Sequence, residues 1–143
     1  WEKNPKLMYL GMQDQWYTFN MFDAQAWYAR DVILEKIELP SFDDMQAHTL
    51  EWHKRETAQE DVAYAIDFQG AYTQMLIDET DYPNFDIKGV NKTFMDWKHD
   101  KKDGIMTFRD KSHASLMTGT QSPPHHTPWL KALDDSLETY LDI

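Results

Sequence analysis

The stretch from residue 11 to residue 33 carries side chains that a plain surface helix does not need. It reads GMQDQWYTFNMFDAQAWYARDVI and combines a glycine, amides, carboxylates and six aromatics. Polar groups at the start of a helix, together with its first backbone N–H groups, can bind an anion or a carbonyl-rich ring. The stretch therefore predicts a ligand site, and the alternative is an ordinary buried turn lined with aromatics.

The elements around this stretch read as strand, turn and helix. A short apolar run at 7–10 precedes it, and apolar residues at helical spacing follow over about 20–37. Gly11 suits a turn in which the backbone passes close to another group. In α/β proteins, ligands gather at such strand-to-helix crossings, so the order of elements also favours a site.

Two further helices are indicated before residue 80. Ser41 and Asp44 are spaced as a capping box, which predicts a second helix that runs to about Ala58. A third helix is expected over 60–78. Gly70 lies inside it at a cost of about 1 kcal/mol relative to alanine, which predicts close packing against another segment.

The rest of the chain has weaker patterns. Asn91 is expected to cap a short fourth helix that Gly104 closes, and 105–108 is expected to be extended. Residues 109–126 read as loop, and a final helix is predicted over 128–141. The fold class from these patterns is mainly α with one or two short strands.

Composition and charge limit the function classes. The chain is 41% hydrophobic and 14% aromatic, which is typical of a globular protein. A net charge of −11 argues against nucleic acid and membrane partners, and the absence of cysteine excludes disulfides and thiol catalysis. No apolar run approaches the roughly 20 residues of a membrane span. The lack of cysteine is compatible with a reducing cytoplasm, which is where we expect the protein to be located.

Five runs of the sequence carry a resemblance to a known enzyme family. They are NPKLMYLGMQDQWYTFNMFDAQAWYARDVI, TDYPNFDI, NKTFMDWKHDKKDGIMTFRD, SLMTGT and HHTPWLKALDDSLETYL. In this order they resemble the C-terminal third of bacterial flavin-containing monooxygenases, the trimethylamine monooxygenases in particular. The resemblance implies that residues 1–143 are the C-terminal segment of the FAD-binding domain of an α/β flavoprotein with two dinucleotide-binding domains.

The family's two glycine-rich phosphate-binding loops are missing from this sequence. Its five glycines are too far apart for a G-x-G-x-x-G motif, and it begins at Trp1 without an initiator methionine. We therefore expect a piece of a larger enzyme whose N-terminal portion carries the FAD and NADPH loops. On this interpretation the chain is not active by itself.

The resemblance assigns roles to residues of the turn. Gln15 and Thr18 are expected to bind FAD, at the isoalloxazine ring or its ribityl chain. Asp14 would bind NADP and help to position the nicotinamide, while Trp16 would gate the substrate pocket, so both are candidate catalytic residues. Alternatively, Gln15 and Thr18 only form hydrogen bonds within the turn. Asp14 would then be an ordinary surface carboxylate and Trp16 an indole buried in the core.

Two candidates lie later in the chain. Trp97, within FMDWK, matches a tryptophan of the family's substrate pocket, and an aromatic wall suits a small methylated amine. Arg109 matches an arginine that contacts NADP, and a guanidinium suits phosphate or adenine. Core packing for Trp97 and a salt bridge to Asp110 for Arg109 are the alternatives.

No metal site is expected. His48 and His53 are five residues apart and lie off a common helix face, and 125–126 is a histidine pair with no carboxylate at ligand spacing.

The function implied by the resemblance is oxidation of trimethylamine to its N-oxide by an FAD- and NADPH-dependent monooxygenase that uses O2. The implied partners are the N-terminal portion of the same enzyme, the amine substrate and a second subunit of a homodimer. Two alternatives remain: a flavin monooxygenase acting on sulfides or indole, and a non-enzymatic α-helical binding module whose aromatics form its own core.

Overall fold

A computed structural model describes residues 3–4, 6–11 and 15–121. Within them the chain forms four α-helices: α1 (Thr18–Ile33), α2 (Phe42–Thr57), α3 (Val62–Asp78) and α4 (Ile87–Asp103). A 3-10 helix follows at Phe108–Asp110. The chain divides into two compact units, residues 1–91 and 92–143. The prediction of a mainly α fold is confirmed.

The core of the first unit lies between α1 and α3. Met21, Ala24, Ile66 and Thr73 are completely buried, which follows from apolar or small residues recurring once per helical turn on the facing sides. The hydroxyl of Thr73 donates to the carbonyl of Gln69, so this buried polar group is satisfied within its own helix.

Helix α2 begins as the sequence predicts. The backbone N–H of Asp44 donates to Ser41 Oγ at 3.2 Å, and Ser41 Oγ donates to Asp44 Oδ2 at 2.6 Å. The helix approaches α3 mainly through Trp52, whose ring packs edge-on against Phe68 and Tyr72 with centroids 5.3 and 5.5 Å apart. None of its sixteen residues is fully buried, so α2 is held largely by this aromatic cluster.

Gly70 packs closely against another helix, as predicted. A Cβ atom at this position would lie 2.8 Å from Asn91 Oδ1 and 3.0 Å from Ile87 Cγ2. Both neighbours belong to the start of α4, so glycine is what lets α3 and that first turn approach each other.

The predicted cap at Asn91 is wrong. Helix α4 starts four residues earlier, at Ile87, because the side chain of Asp86 accepts from the N–H of Gly89 at 2.9 Å and caps the first turn. Asn91 lies inside the helix, and its side chain donates to Asp67 on α3.

The expected short strands do not form within the described residues. The N–H groups of Thr107 and Phe108 both donate to the carbonyl of Gly104, which folds 105–107 into a turn. The segment 7–10 is irregular, since a strand needs a neighbour to pair with. Within the described residues, β pairing is limited to an isolated antiparallel bridge between Ala114 and Gln121.

None of the four helices is both long and apolar enough to cross a bilayer in the part of the chain that the structure describes. The helix predicted over 128–141 lies outside the described residues.

Candidate functional site

The turn before α1 is held by hydrogen bonds to two glutamine side chains. The N–H of Gly11 donates to Oε1 of Gln25 at 2.9 Å, and the N–H of Trp16 donates to Oε1 of Gln69 at 2.6 Å. Gly11 has φ +75°, and a Cβ there would meet the ring of Phe22 at 3.0 Å, so the predicted close approach at this glycine is confirmed.

The side-chain amide of Gln15 lies within this turn. Its nitrogen and oxygen are both buried, and neither has a hydrogen-bond partner among the described residues. Leaving such a group unsatisfied costs about 1–3 kcal/mol. A carboxamide offers donors and an acceptor side by side, which matches a ring edge that carries both carbonyl and N–H groups.

Thr18 begins α1 in a strained conformation. Its φ of +28° is rare for a β-branched residue, its side chain is exposed, and its hydroxyl lies 3.5 Å from the carbonyl of Trp16. Tyr17 occupies the N-cap position without a side-chain capping bond. Backbone strain of this kind is often found where a ligand binds.

Tyr17, the residue before α1, is hydrogen-bonded to the start of α4. Only 3% of it is exposed, and its hydroxyl donates to the carbonyl of Ile87 at 3.1 Å and to the side-chain oxygen of Asn91. Burial, and then the nearby charges of Asp67 and Asp86, raise the pKa of this phenol far above its ordinary value. Tyr17 is therefore a neutral anchor.

Trp16 also lines a cavity of about 610 Å³ between α2 and α3. Its wall combines aromatic rings with amide, imidazole and carboxylate groups, including Trp52, Phe68, Tyr72, Gln69, His53 and Glu56. The predicted gate residue thus borders an open space, although its backbone is fixed to α3.

In the second unit, Trp97 and Arg109 meet on one buried side chain. The Trp97 ring packs edge-on to Phe108 at 5.4 Å, and the Arg109 guanidinium carbon lies 4.6 Å from the centre of the Phe108 ring. Lys101 Nζ lies 5.1 Å from the centre of the Trp97 ring. These residues form one aromatic and cationic cluster.

Two predicted site residues, Asp14 and Arg109, and the question of a metal site remain. Asp14 lies outside the described residues. Arg109 is exposed, and its guanidinium lies over the ring of Phe108. Among the described residues, no three or more histidine, aspartate or glutamate side chains are grouped so that they could hold a metal ion.

Sequence reasoning missed the groups that position the turn. Gln25 is 7% exposed and Gln69 half-buried, and both lie on helix faces that otherwise carry apolar residues. A single amide within an apolar helix face could have indicated these contacts, because a buried polar group needs a hydrogen-bond partner. Phe108 was missed because its segment was expected to be extended.

Comparison with known proteins places this chain beside one group of enzymes. No family model matches it. It is 57% identical over 139 residues to trimethylamine monooxygenase of Roseovarius sp. (strain 217), and 54% identical over 140 residues to that of Methylocella silvestris. These alignments cover 97% and 98% of this chain and 31% of each relative.

A solved structure agrees. The crystal structure of Tmm from Pelagibacter sp. strain HTCC7211 superposes with a TM-score of 0.87 at 50% identity, over 97% of this chain and 32% of that one. The chain therefore spans about a third of the length of the proteins it matches. The resemblance seen in the sequence is confirmed, and this chain corresponds to the C-terminal part of trimethylamine monooxygenases.

Proposed function

We propose that this chain is part of a flavin-dependent monooxygenase that oxidises trimethylamine to trimethylamine N-oxide with NADPH and O2. The observation that carries the proposal is 57% identity to a trimethylamine monooxygenase across nearly the whole chain. The unsatisfied amide of Gln15, at the position where the resemblance implies a flavin contact, adds support from the structure.

The turn has the features that a flavin would need. Gln15 would hydrogen-bond the carbonyl and N–H edge of FAD, and Thr18, exposed at the start of α1, would bind the ring or ribityl chain. When bound, the flavin supplies the activation of oxygen. The protein groups bind the ring, orient it and exclude water.

The resemblance assigns NADP contacts to Arg109 and, separately, to Asp14. Arg109 is exposed and lies over the Phe108 ring, which keeps its planar guanidinium oriented and leaves N–H groups for a phosphate. Asp14 precedes Gln15 in the sequence, and its assignment to NADP comes from the family resemblance.

Trp97 would form an aromatic wall for the amine, and the resemblance also assigns Trp16 to substrate binding. The nitrogen lone pair must be free when oxygen is transferred, so the pocket should take the neutral amine. The ammonium of Lys101, 5.1 Å from the Trp97 ring centre, already gives that wall a positive charge and disfavours a second cation there. The wall therefore suits methyl groups and an unprotonated nitrogen.

The proposal includes the rest of the enzyme. Residues 1–143 would complete an FAD-binding domain whose nucleotide loops lie in an N-terminal portion, because the relatives are about three times as long as this chain. A homodimer and a cytoplasmic location complete the proposal.

The test is an assay of the complete gene product that contains this chain. We expect trimethylamine to stimulate NADPH oxidation and to be converted into its N-oxide, with Trp97→Ala raising KM for the amine. Sulfides and indole are assayed in parallel, and a preference for either would contradict the assigned substrate. A colourless protein without NADPH oxidation would contradict the whole proposal.

A further inference from the structure

Helix α3 presents polar side chains towards Trp16 and towards Gln25, the partner of Gly11. Gln69 accepts the N–H of Trp16 directly. Tyr72 lies three residues further on the same face, and its hydroxyl accepts from Nε2 of Gln25, whose Oε1 accepts from Gly11. Gly11 and Trp16 are therefore both connected to α3, Gly11 through Gln25 and Trp16 directly.

A third connection to α3 is made by Tyr17, the residue after Trp16, through the side chain of Asn91. Tyr17 donates to the side-chain oxygen of Asn91, and Asn91 Nδ2 donates to Asp67 at 2.6 Å. Asp67 and Gln69 lie three residues and one residue before Gly70, where α3 and the start of α4 are in close contact. The backbone of Trp16 is thus bonded to α3 directly, and the side chain of Tyr17 is connected to α3 through Asn91 of α4.

Gln15 precedes Trp16, so its backbone carbonyl belongs to the same peptide group as the N–H that Gln69 holds. A hydrogen bond to that N–H limits rotation of the peptide plane, and with it the direction of the Gln15 side chain. The buried amide of Gln15 has no partner of its own among the described residues. Its orientation therefore depends on neighbouring contacts.

We propose that Gln69 and Gln25 are positioning residues, which hold the turn so that the Gln15 amide is preoriented towards the flavin. The inference rests on the proposed function for the identity of the ligand. Preorientation matters because a group that is already aimed loses less conformational entropy when the ligand binds.

The test compares Gln69→Leu, Gln69→Glu and Gln74→Leu in the complete protein. Leucine removes the acceptor for Trp16 at similar size, whereas glutamate retains a side-chain oxygen acceptor. Gln74 is the matched control on the same helix, since its amide donates to Asp78 at an exposed position. Gln25→Leu tests the other end of the turn.

The first readout is hydrogen exchange in the flavin-free protein. We expect Gln69→Leu to speed exchange of the Trp16 amide about tenfold or more, with near-normal exchange in Gln69→Glu and in the Gln74 control. Unchanged exchange in Gln69→Leu would overturn the positioning role, whether or not the protein binds flavin. Faster exchange throughout α3 would show general unfolding and would also count against it.

The second readout is flavin affinity and the visible spectrum of the bound flavin. We expect Gln69→Leu and Gln25→Leu to bind FAD about tenfold more weakly and to shift its absorbance, with recovery in Gln69→Glu. A local change in exchange with unaltered FAD affinity would refute the link to the cofactor. A wild-type protein that binds no flavin would refute the proposed function, and Trp16 exchange would still decide the role of Gln69 in holding the turn.

Discussion

Replacing Gly70 by alanine tests the packing that holds the turn in place. In a helix interior this change ordinarily stabilises by about 1 kcal/mol. Here the new Cβ would lie 2.8 Å from Asn91 Oδ1 and 3.0 Å from Ile87 Cγ2, both well inside normal contact distance. The neighbours must move for alanine to fit.

Asn91 cannot move without loss, because it bonds both Tyr17 and Asp67. Two such bonds contribute roughly 2 kcal/mol together, and crowding at Ile87 adds about 1 kcal/mol. Subtracting the gain in helix propensity leaves a destabilisation of about 2 kcal/mol for Gly70→Ala.

Hydrogen exchange of the α3 amides measures this free energy of opening without assuming that the complete protein unfolds in one step. The control places Gly70→Ala in an Asn91→Ala background, where only the crowding at Ile87 remains. In that background, Gly70→Ala should leave the free energy of opening of α3 nearly unchanged. A single Gly70→Ala variant as stable as the wild type would refute the reasoning.

Three other predictions concern the capping, charge and cofactor contacts. Ser41→Ala should weaken α2 by about 1 kcal/mol, measured by exchange of its amides, because Asp44 loses its cap; an unchanged rate would show that the cap contributes nothing. Arg109→Ala should raise KM for NADPH while changing stability by no more than about 0.5 kcal/mol, since the side chain is exposed; a large fall in melting temperature would contradict this. Hydrogen bonds from Arg30 hold the pKa of Asp31 below its ordinary 3.8, so the stability that this carboxylate contributes is present above that value and lost below it. The difference in melting temperature between wild type and Asp31→Asn should therefore narrow as the pH falls from about 6 to about 3, and a constant difference would argue against the ion pair.

Local signals in the sequence predicted the parts of the fold that depend on local chemistry. The cap at Ser41, the close approach at Gly11 and the tight contact at Gly70 each follow from one residue and its neighbours, and all three are confirmed. The start of α4 was misplaced because two residues, Asp86 and Asn91, can both cap a helix, and the pattern does not show which one does.

Hydrogen-bond partners that are far apart in the sequence could not be predicted from local patterns. The amides of Gln25 and Gln69 act on a turn that lies 14 and 53 residues away along the chain, and nothing in the spacing indicates those distances. The expected strands at 7–10 and 105–108 depended on neighbours for pairing, and the described residues provide none.

The roles of Gln15, Thr18, Trp97 and Arg109 came from the family resemblance. The structure adds a physical basis for a ligand at Gln15, since its amide is buried without a partner among the described residues. It adds a shared support for Trp97 and Arg109, since both side chains contact Phe108. These contacts make the proposed roles testable one residue at a time.

The visible absorption spectrum of the complete protein, compared with that of its Gln15→Leu variant, tests the central claim most directly. The account predicts flavin absorbance bands in the wild type, and weaker or shifted bands in the variant at equal protein concentration, because the buried amide contacts the ring. A wild-type protein without flavin bands, or a variant with the same flavin content and spectrum, would contradict a flavin site at this turn.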